Sequence, residues 1–180
     1  LACELGENTF WAGVRDYLQR YSGKVVETDD FRHVLEEHSG RSLGRFFDQW
    51  FHAAGYPDLK VTFSYDEKRR EGTFVVTQRQ VKDEDEDGAD KPPLFDLRTD
   101  VGWTLDGEAH TLAVELKEAK HVFIVPMADE PEQVRFDPGG KVLCKLSFNP
   151  GDAMLRRPVT DAPDVIGRIL AGRELCKTGK

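Results

Sequence analysis

Cysteine is scarce in these 180 residues: Cys3, Cys144 and Cys176 are an odd number at wide spacing. They fit neither a disulfide framework nor the close CxxC pairs of a zinc knuckle. The reading they leave is a reducing, cytoplasmic compartment. Long apolar runs are missing as well. The longest, Val122 to Ala128, is interrupted by Pro126 and is too short to cross a bilayer, so no membrane span is expected. Basic clusters are confined to Lys68-Arg69-Arg70 and Arg156-Arg157. That falls short of the stripe that phosphate backbones require, and nucleic acid is not an expected partner.

What remains is ordinary for a folded chain, with 39% hydrophobic and 32% charged residues. The net charge of −8 has one main source: Asp83, Glu84, Asp85, Glu86, Asp87 and Asp90 carry six negative charges, leaving −2 for everything else. The acidity therefore belongs to a segment and not to a face. The chain opens at Leu1 and stops at Lys180 within a helical pattern, which reads as a piece of something longer.

Three helices are predicted first. Phe10, Val14, Tyr17, Leu18 and Tyr21 share one face of a helix over 9–22 that Gly23 ends. Thr28-Asp29-Asp30 offers cap oxygens and first-turn negative charge to a second, with Phe31, Val34 and Leu35 inward and Gly40 as its stop. Ser42 is the expected N-cap of a third, which carries Leu43, Phe46, Phe47, Trp50 and Phe51 and ends at Gly55 before Pro57. So few residues make a marginal core, and the segment is expected to dock on a larger body.

After Pro57 the period changes to two: Leu59, Val61, Phe63 and Tyr65 alternate with Lys60, Thr62 and Ser64. Further strands are predicted over 73–81, 94–103, 111–116, 121–125, 134–136 and 142–148. Turns are read at Glu71-Gly72, Asp106-Gly107 and Asp137-Pro138-Gly139-Gly140. Beyond Pro150-Gly151 the spacing of Val165, Ile166, Ile169 and Leu170 is helical again, with Pro163 in the first turn. The expected fold is α+β in several parts: a helical segment over 1–57, an antiparallel Ig-like β-sandwich over 58–150, and a linker with a terminal helix over 151–180.

Four groups of residues invite a chemical reading. His33-Val34-Leu35-Glu36-Glu37-His38 suggests a zinc-peptidase helix, but HExxH and HxxEH both place the histidines four apart. Here they are five apart, which turns the rings about 140° from each other around the axis. Gly40-Arg41-Ser42-Leu43-Gly44 matches GxSxG, yet a nucleophile elbow follows a strand and this follows a helix. Asp83-Glu84-Asp85-Glu86-Asp87-Gly88 begins like an EF-hand loop, then places Leu94 where the bidentate Glu belongs. A solvated loop, or a weak calcium site, is the alternative left there. His52, His110 and His121, with Asp48 and Asp137, have no ligand spacing. No catalytic, cofactor-binding or metal residue is assigned.

Residues 1–61 carry Leu5-Gly6, Phe10, Tyr17-Leu18, Thr28-Asp29-Asp30-Phe31, Ser39-Gly40, Phe46-Phe47-Asp48-Gln49-Trp50 and Gly55-Tyr56-Pro57 in that order. This string resembles the closing helices of the catalytic domain in M1-family zinc aminopeptidases. The resemblance continues collinearly through Val76-Thr77-Gln78-Arg79-Gln80 and Val134-Arg135-Phe136-Asp137. There such enzymes have a β-sandwich followed by a helical C-terminal domain.

That family's chemistry lies in an HExxH helix with a further Glu ligand, a Gly-x-Met-Glu-Asn strand and a transition-state tyrosine, all upstream of the matching region. The sequence holds no His-Glu dipeptide and no such strand, and Tyr17, Tyr21, Tyr56 and Tyr65 lie in other contexts. The resemblance implies a parent that uses zinc to release N-terminal residues from peptides. This chain would carry no zinc and would partner the rest of the parent's catalytic domain. The competing reading is a non-enzymatic sandwich scaffold, including a catalytically silent relative of the same family.

Overall fold

The computed structural model describes residues 1–81, 93–161 and 164–178. They divide into two compact units, Leu1–Ala54 and Gly55–Lys180.

The first unit holds α1 (Ala2–Leu5), α2 (Glu7–Tyr21), α3 (Thr28–Ser39) and α4 (Gly44–Phe47), which runs on into a π-helical turn over Asp48–His52. Leu35, Leu43 and Phe47 form its buried centre, with Leu1, Leu5, Phe10, Phe31 and Phe46 packed around them. The aromatic residues of the third predicted helix thus largely cover one another, and Phe51 is the one left half exposed. Helices α2 and α3 approach closely at Gly13, where a Cβ would stand 2.7 Å from the Leu35 Cδ2.

Two predicted caps are replaced. Glu27, not Thr28, occupies the N-cap position of α3, and the Asp30 carboxylate accepts the Glu27 N–H at 2.9 Å. Ser42 does not cap α4 either. Leu43 holds that position, and its N–H donates to Glu36 Oε1 of α3 at 2.6 Å. A carboxylate is a stronger acceptor than a hydroxyl, and the fold of α3 onto the turn brings Glu36 within reach. Gly40 does end α3, with φ 64°.

The second unit contains β1 (Asp58–Asp66), β2 (Glu71–Gln78), β3 (Leu97–Leu105), β4 (Glu108–Leu116), β5 (Lys120–Pro126), β6 (Gln133–Phe136) and β7 (Lys145–Phe148), then α5 (Asp152–Asp161) and α6 (Val165–Thr178). The strands form two sheets of order β5-β2-β1-β7 and β4-β3-β6. Leu59, Val61, Phe74 and Val76 of the first sheet and Leu97, Val101, Val114, Leu116, Val134 and Phe136 of the second are buried, which is the core of a sandwich-like domain. Asp106 and Gly107, both at positive φ, make the tight β3–β4 hairpin turn.

Most pairs are antiparallel as expected, but β1 and β7 pair in parallel, Asp58 opposite Lys145 through Val61 opposite Phe148. Period and turn signals fix neither partner nor direction across so long a separation. The stretch 142–148 also yields a shorter strand than predicted, beginning only at Lys145. One terminal helix was expected and two are present; Pro163 lies outside the described residues. Asp164 starts α6 by accepting the Gly167 N–H at 2.6 Å, and its other oxygen takes Arg135 of β6 at 2.5 Å.

Candidate functional site

On α3, His33 and His38 are engaged separately. Arg32 Nη2 lies 3.1 Å from His33 Nε2, while His38 Nε2 lies 2.8 Å from Asp16 Oδ2 on α2. Asp16 also receives Arg20 through two nitrogens, and Arg20 reaches on to Glu37. The His38 and Arg20 hydrogen bonds hold the Asp16 carboxyl below its ordinary range. Between the two histidines, Glu36 is held down first by the Leu43 amide and then by Arg32, against the upward pull of burial. HVLEEH is therefore a helix-joining network, and its rings do not converge.

Ser42 of the GRSLG string is exposed in the turn between helices, with no strand before it. The acidic stretch 83–88 lies outside the described residues. Within the second unit, His110 stacks on Trp103 at 5.5 Å between centroids, and His121 accepts the N–H groups of Lys117 and Glu118. Among the described residues there is no group of three or more His, Cys, Asp or Glu side chains able to hold a metal ion.

Buried polar side chains instead lie at joints of the sandwich. Gln78 is 2% exposed and exchanges two hydrogen bonds with the Phe95 backbone just before β3. Asp58 at the start of β1 receives Arg79 at 2.5 Å and Lys145 of β7 at 3.1 Å. Burial raises its carboxyl, and these two cations outweigh that and hold it low. Asp137, in the turn after β6, is buried and accepts from the Thr99 hydroxyl at 2.7 Å and from the Lys141 and Val142 amides at 3.0 Å each. Its φ of 52° is a strained value for a residue with a side chain.

A crevice lies where β6 and β7 meet α5 and α6, lined mainly by Val134, Phe136, Leu146, Phe148, Leu155 and Leu170. Arg135 at its edge is taken by Asp164, where burial raises the carboxyl and the Gly167 amide and Arg135 hold it low overall. Such a crevice has no nucleophile paired with a base. Sequence reasoning assigned no role to Gln78, Arg135 or Asp164. The signal that could have found two of them was present: Gln78 and Arg135 both lie in the strings that carry the family resemblance.

The geometry has counterparts elsewhere. No family model matches the chain. It is 28% identical to a puromycin-sensitive aminopeptidase of Caenorhabditis elegans across 98% of its own length and 19% of that protein's. It is 30% identical to aminopeptidase 2 of Candida albicans across 76% of its own length and 14% of that protein's. Among solved structures, aminopeptidase A of Legionella pneumophila, crystallised with aspartic acid, superposes with a TM-score of 0.71 over 97% of this chain and 19% of that one. At 16% identity this last likeness speaks for the fold alone. The chain spans less than a fifth of the length of these relatives. Helices, sandwich and terminal helices follow one another in the order that the sequence strings suggest, and the chain matches a segment of M1-family aminopeptidases at low identity.

Proposed function

We propose that this chain is the structural, non-catalytic part of a zinc-dependent aminopeptidase whose full polypeptide removes N-terminal residues from peptides. The observation that carries the reading is the match to an aminopeptidase along 98% of the chain. The described polar side chains support it, because they are spent on joining helices and sheets.

In the parent, zinc would activate a water and polarise the scissile carbonyl. The residues of this chain would instead hold the closing helices together and keep the sandwich rigid. They would be partnered by the remainder of the catalytic domain and, through it, by the peptide substrate. The three free cysteines support a reducing, cytoplasmic setting for the parent.

Release of aminoacyl anilides is the direct test. The purified chain supplemented with zinc is expected to release none, while the full polypeptide releases them and loses that activity to a chelator. Activity in the isolated chain that survives repurification would overturn the assignment.

A further inference from the structure

The β4–β5 connection is where the chain passes from the second sheet to the first. The turn is held by an imidazole in an unusual role. Both the Lys117 and the Glu118 N–H donate to His121 Nε2, each at 2.8 Å. A backbone N–H can only donate, so Nε2 must carry its lone pair and the proton must sit on Nδ1. The same turn is tied to β2: Ala119 O accepts the Gln78 N–H at 2.8 Å, and Glu118 O accepts from Gln78 Nε2 at 3.4 Å. Gln78 in turn fixes Phe95. A continuous line of hydrogen bonds therefore runs from the His121 ring through the turn to the segment that enters β3.

We propose that His121 is a proton-operated latch on this crossing: the neutral ring holds the 117–119 turn closed, and the imidazolium releases it. Protonating Nε2 places an N–H against two N–H donors, so two attractions become two repulsions. The imidazolium therefore cannot hold the turn, and acid favours its release. Imidazole is the side chain that ordinarily changes charge between about pH 5 and 8.

The surroundings do not oppose this. On the connection itself the charged neighbours are Lys117, Glu118 and Lys120. Glu115 of β4 is taken up by Lys117 and by Arg98 of β3. On β2 the residue opposite His121 is Val76, flanked by Val75 and Thr77, all uncharged. Phe123 stacks on the ring with planes 4° apart. Among the described residues, the hydrogen bonds to this ring come from the two backbone amides and not from a carboxylate. Release would loosen the entry to β5, an edge strand with Val122 and Ile124 exposed on its outer face.

Peptide-resolved hydrogen exchange on the full chain tests the latch, at about pH 7.5 and about pH 5.5 with rates corrected for the intrinsic effect of pH. Protection of the Lys117 and Glu118 amides is expected to fall about tenfold or more on acidification, with the β1–β2 amides unchanged. His121→Gln, which cannot titrate, should show no such difference. Equal protection at both pH values, or the same fall in the variant, would overturn the proposal. A second measurement needs no variant: nitrogen shifts of labelled histidine at neutral pH should report the Nδ1–H tautomer for His121. Finding the proton on Nε2 would overturn it equally.

Discussion

Gln78 treats Phe95 as a strand partner although only its side chain is involved: Nε2 donates to the Phe95 carbonyl at 2.8 Å and Oε1 accepts the Phe95 N–H at 3.0 Å. The amide thereby satisfies a backbone donor and acceptor that are buried ahead of β3. Gln80 adds a third bond by donating to Gln78 Oε1 at 2.7 Å.

Truncating Gln78 should therefore cost more than its size suggests. Gln78→Ala removes both side-chain hydrogen bonds to the Phe95 backbone, at about 0.5–1.5 kcal/mol for each bond lost. Gln78→Glu keeps the acceptor for the Phe95 N–H and loses the donor to its carbonyl. Urea unfolding of the two variants is expected to rank them wild type, then Glu or Ala well below it. A loss under about 0.5 kcal/mol in both would show that water satisfies Phe95 instead.

Glu36, inside the HVLEEH string, should matter where its histidines do not. Its carboxylate accepts the Leu43 N–H at 2.6 Å and pairs with Arg32. Glu36→Ala removes the acceptor that starts α4 and should lower stability by about 1 kcal/mol, the usual worth of a helix cap. Glu36→Gln keeps an acceptor and should lose less. Ser42→Ala should be close to neutral, since the Ser42 hydroxyl is not the cap. The reverse order in thermal melting would restore Ser42 as the functional cap.

These contrasts mark what could be read in advance. Periodicity is a local property, so α2, α3, the β1 alternation and the Asp106-Gly107 hairpin were legible from neighbouring residues. The α4 cap was not, because Glu36 outcompetes Ser42 only once the chain has folded back over seven positions. The parallel β1–β7 edge was hidden for the same reason, its partners being set by the packing of both sheets. The candidate site shows the limit most plainly. Residue types that suggest zinc chemistry, His33, Glu36, Glu37 and His38, are consumed by Arg32, Leu43, Arg20 and Asp16. The joints Gln78 and Arg135 lie within the family strings, which by themselves assign them no role.

The Asp16 network gives the helical unit an acid-sensitive joint between α2 and α3. His38 and Arg20 hold the Asp16 carboxyl below its ordinary value, so protons bind the unfolded chain in preference. The stabilisation is complete above the unfolded value of about 3.9 and is lost as the pH falls through the lower folded value. Asp16→Asn is expected to lower the urea midpoint at neutral pH, and its curve should converge with wild type in strong acid. Parallel curves across the whole range would mean that the ion pairs contribute nothing beyond the hydrogen bonds Asn retains.

Cys144 should be the silent cysteine of the three. Burial first, then the nearby charges of Asp137 and Asp58, push its thiol up to about 12. Cys3 and Cys176 are exposed. Since the thiolate is the reacting species, iodoacetamide at about pH 8 should label Cys3 and Cys176 in the native chain and leave Cys144 untouched. All three should react after denaturation. Cys144 lies immediately before β7, whose Lys145 reaches Asp58 across the parallel pair, so its protection also reports that edge. Lys145→Met should weaken the pairing and let Cys144 label in the native state, whereas Lys177→Met on α6 should not. Rapid native labelling of wild-type Cys144 would mean that the β1–β7 edge opens readily in solution.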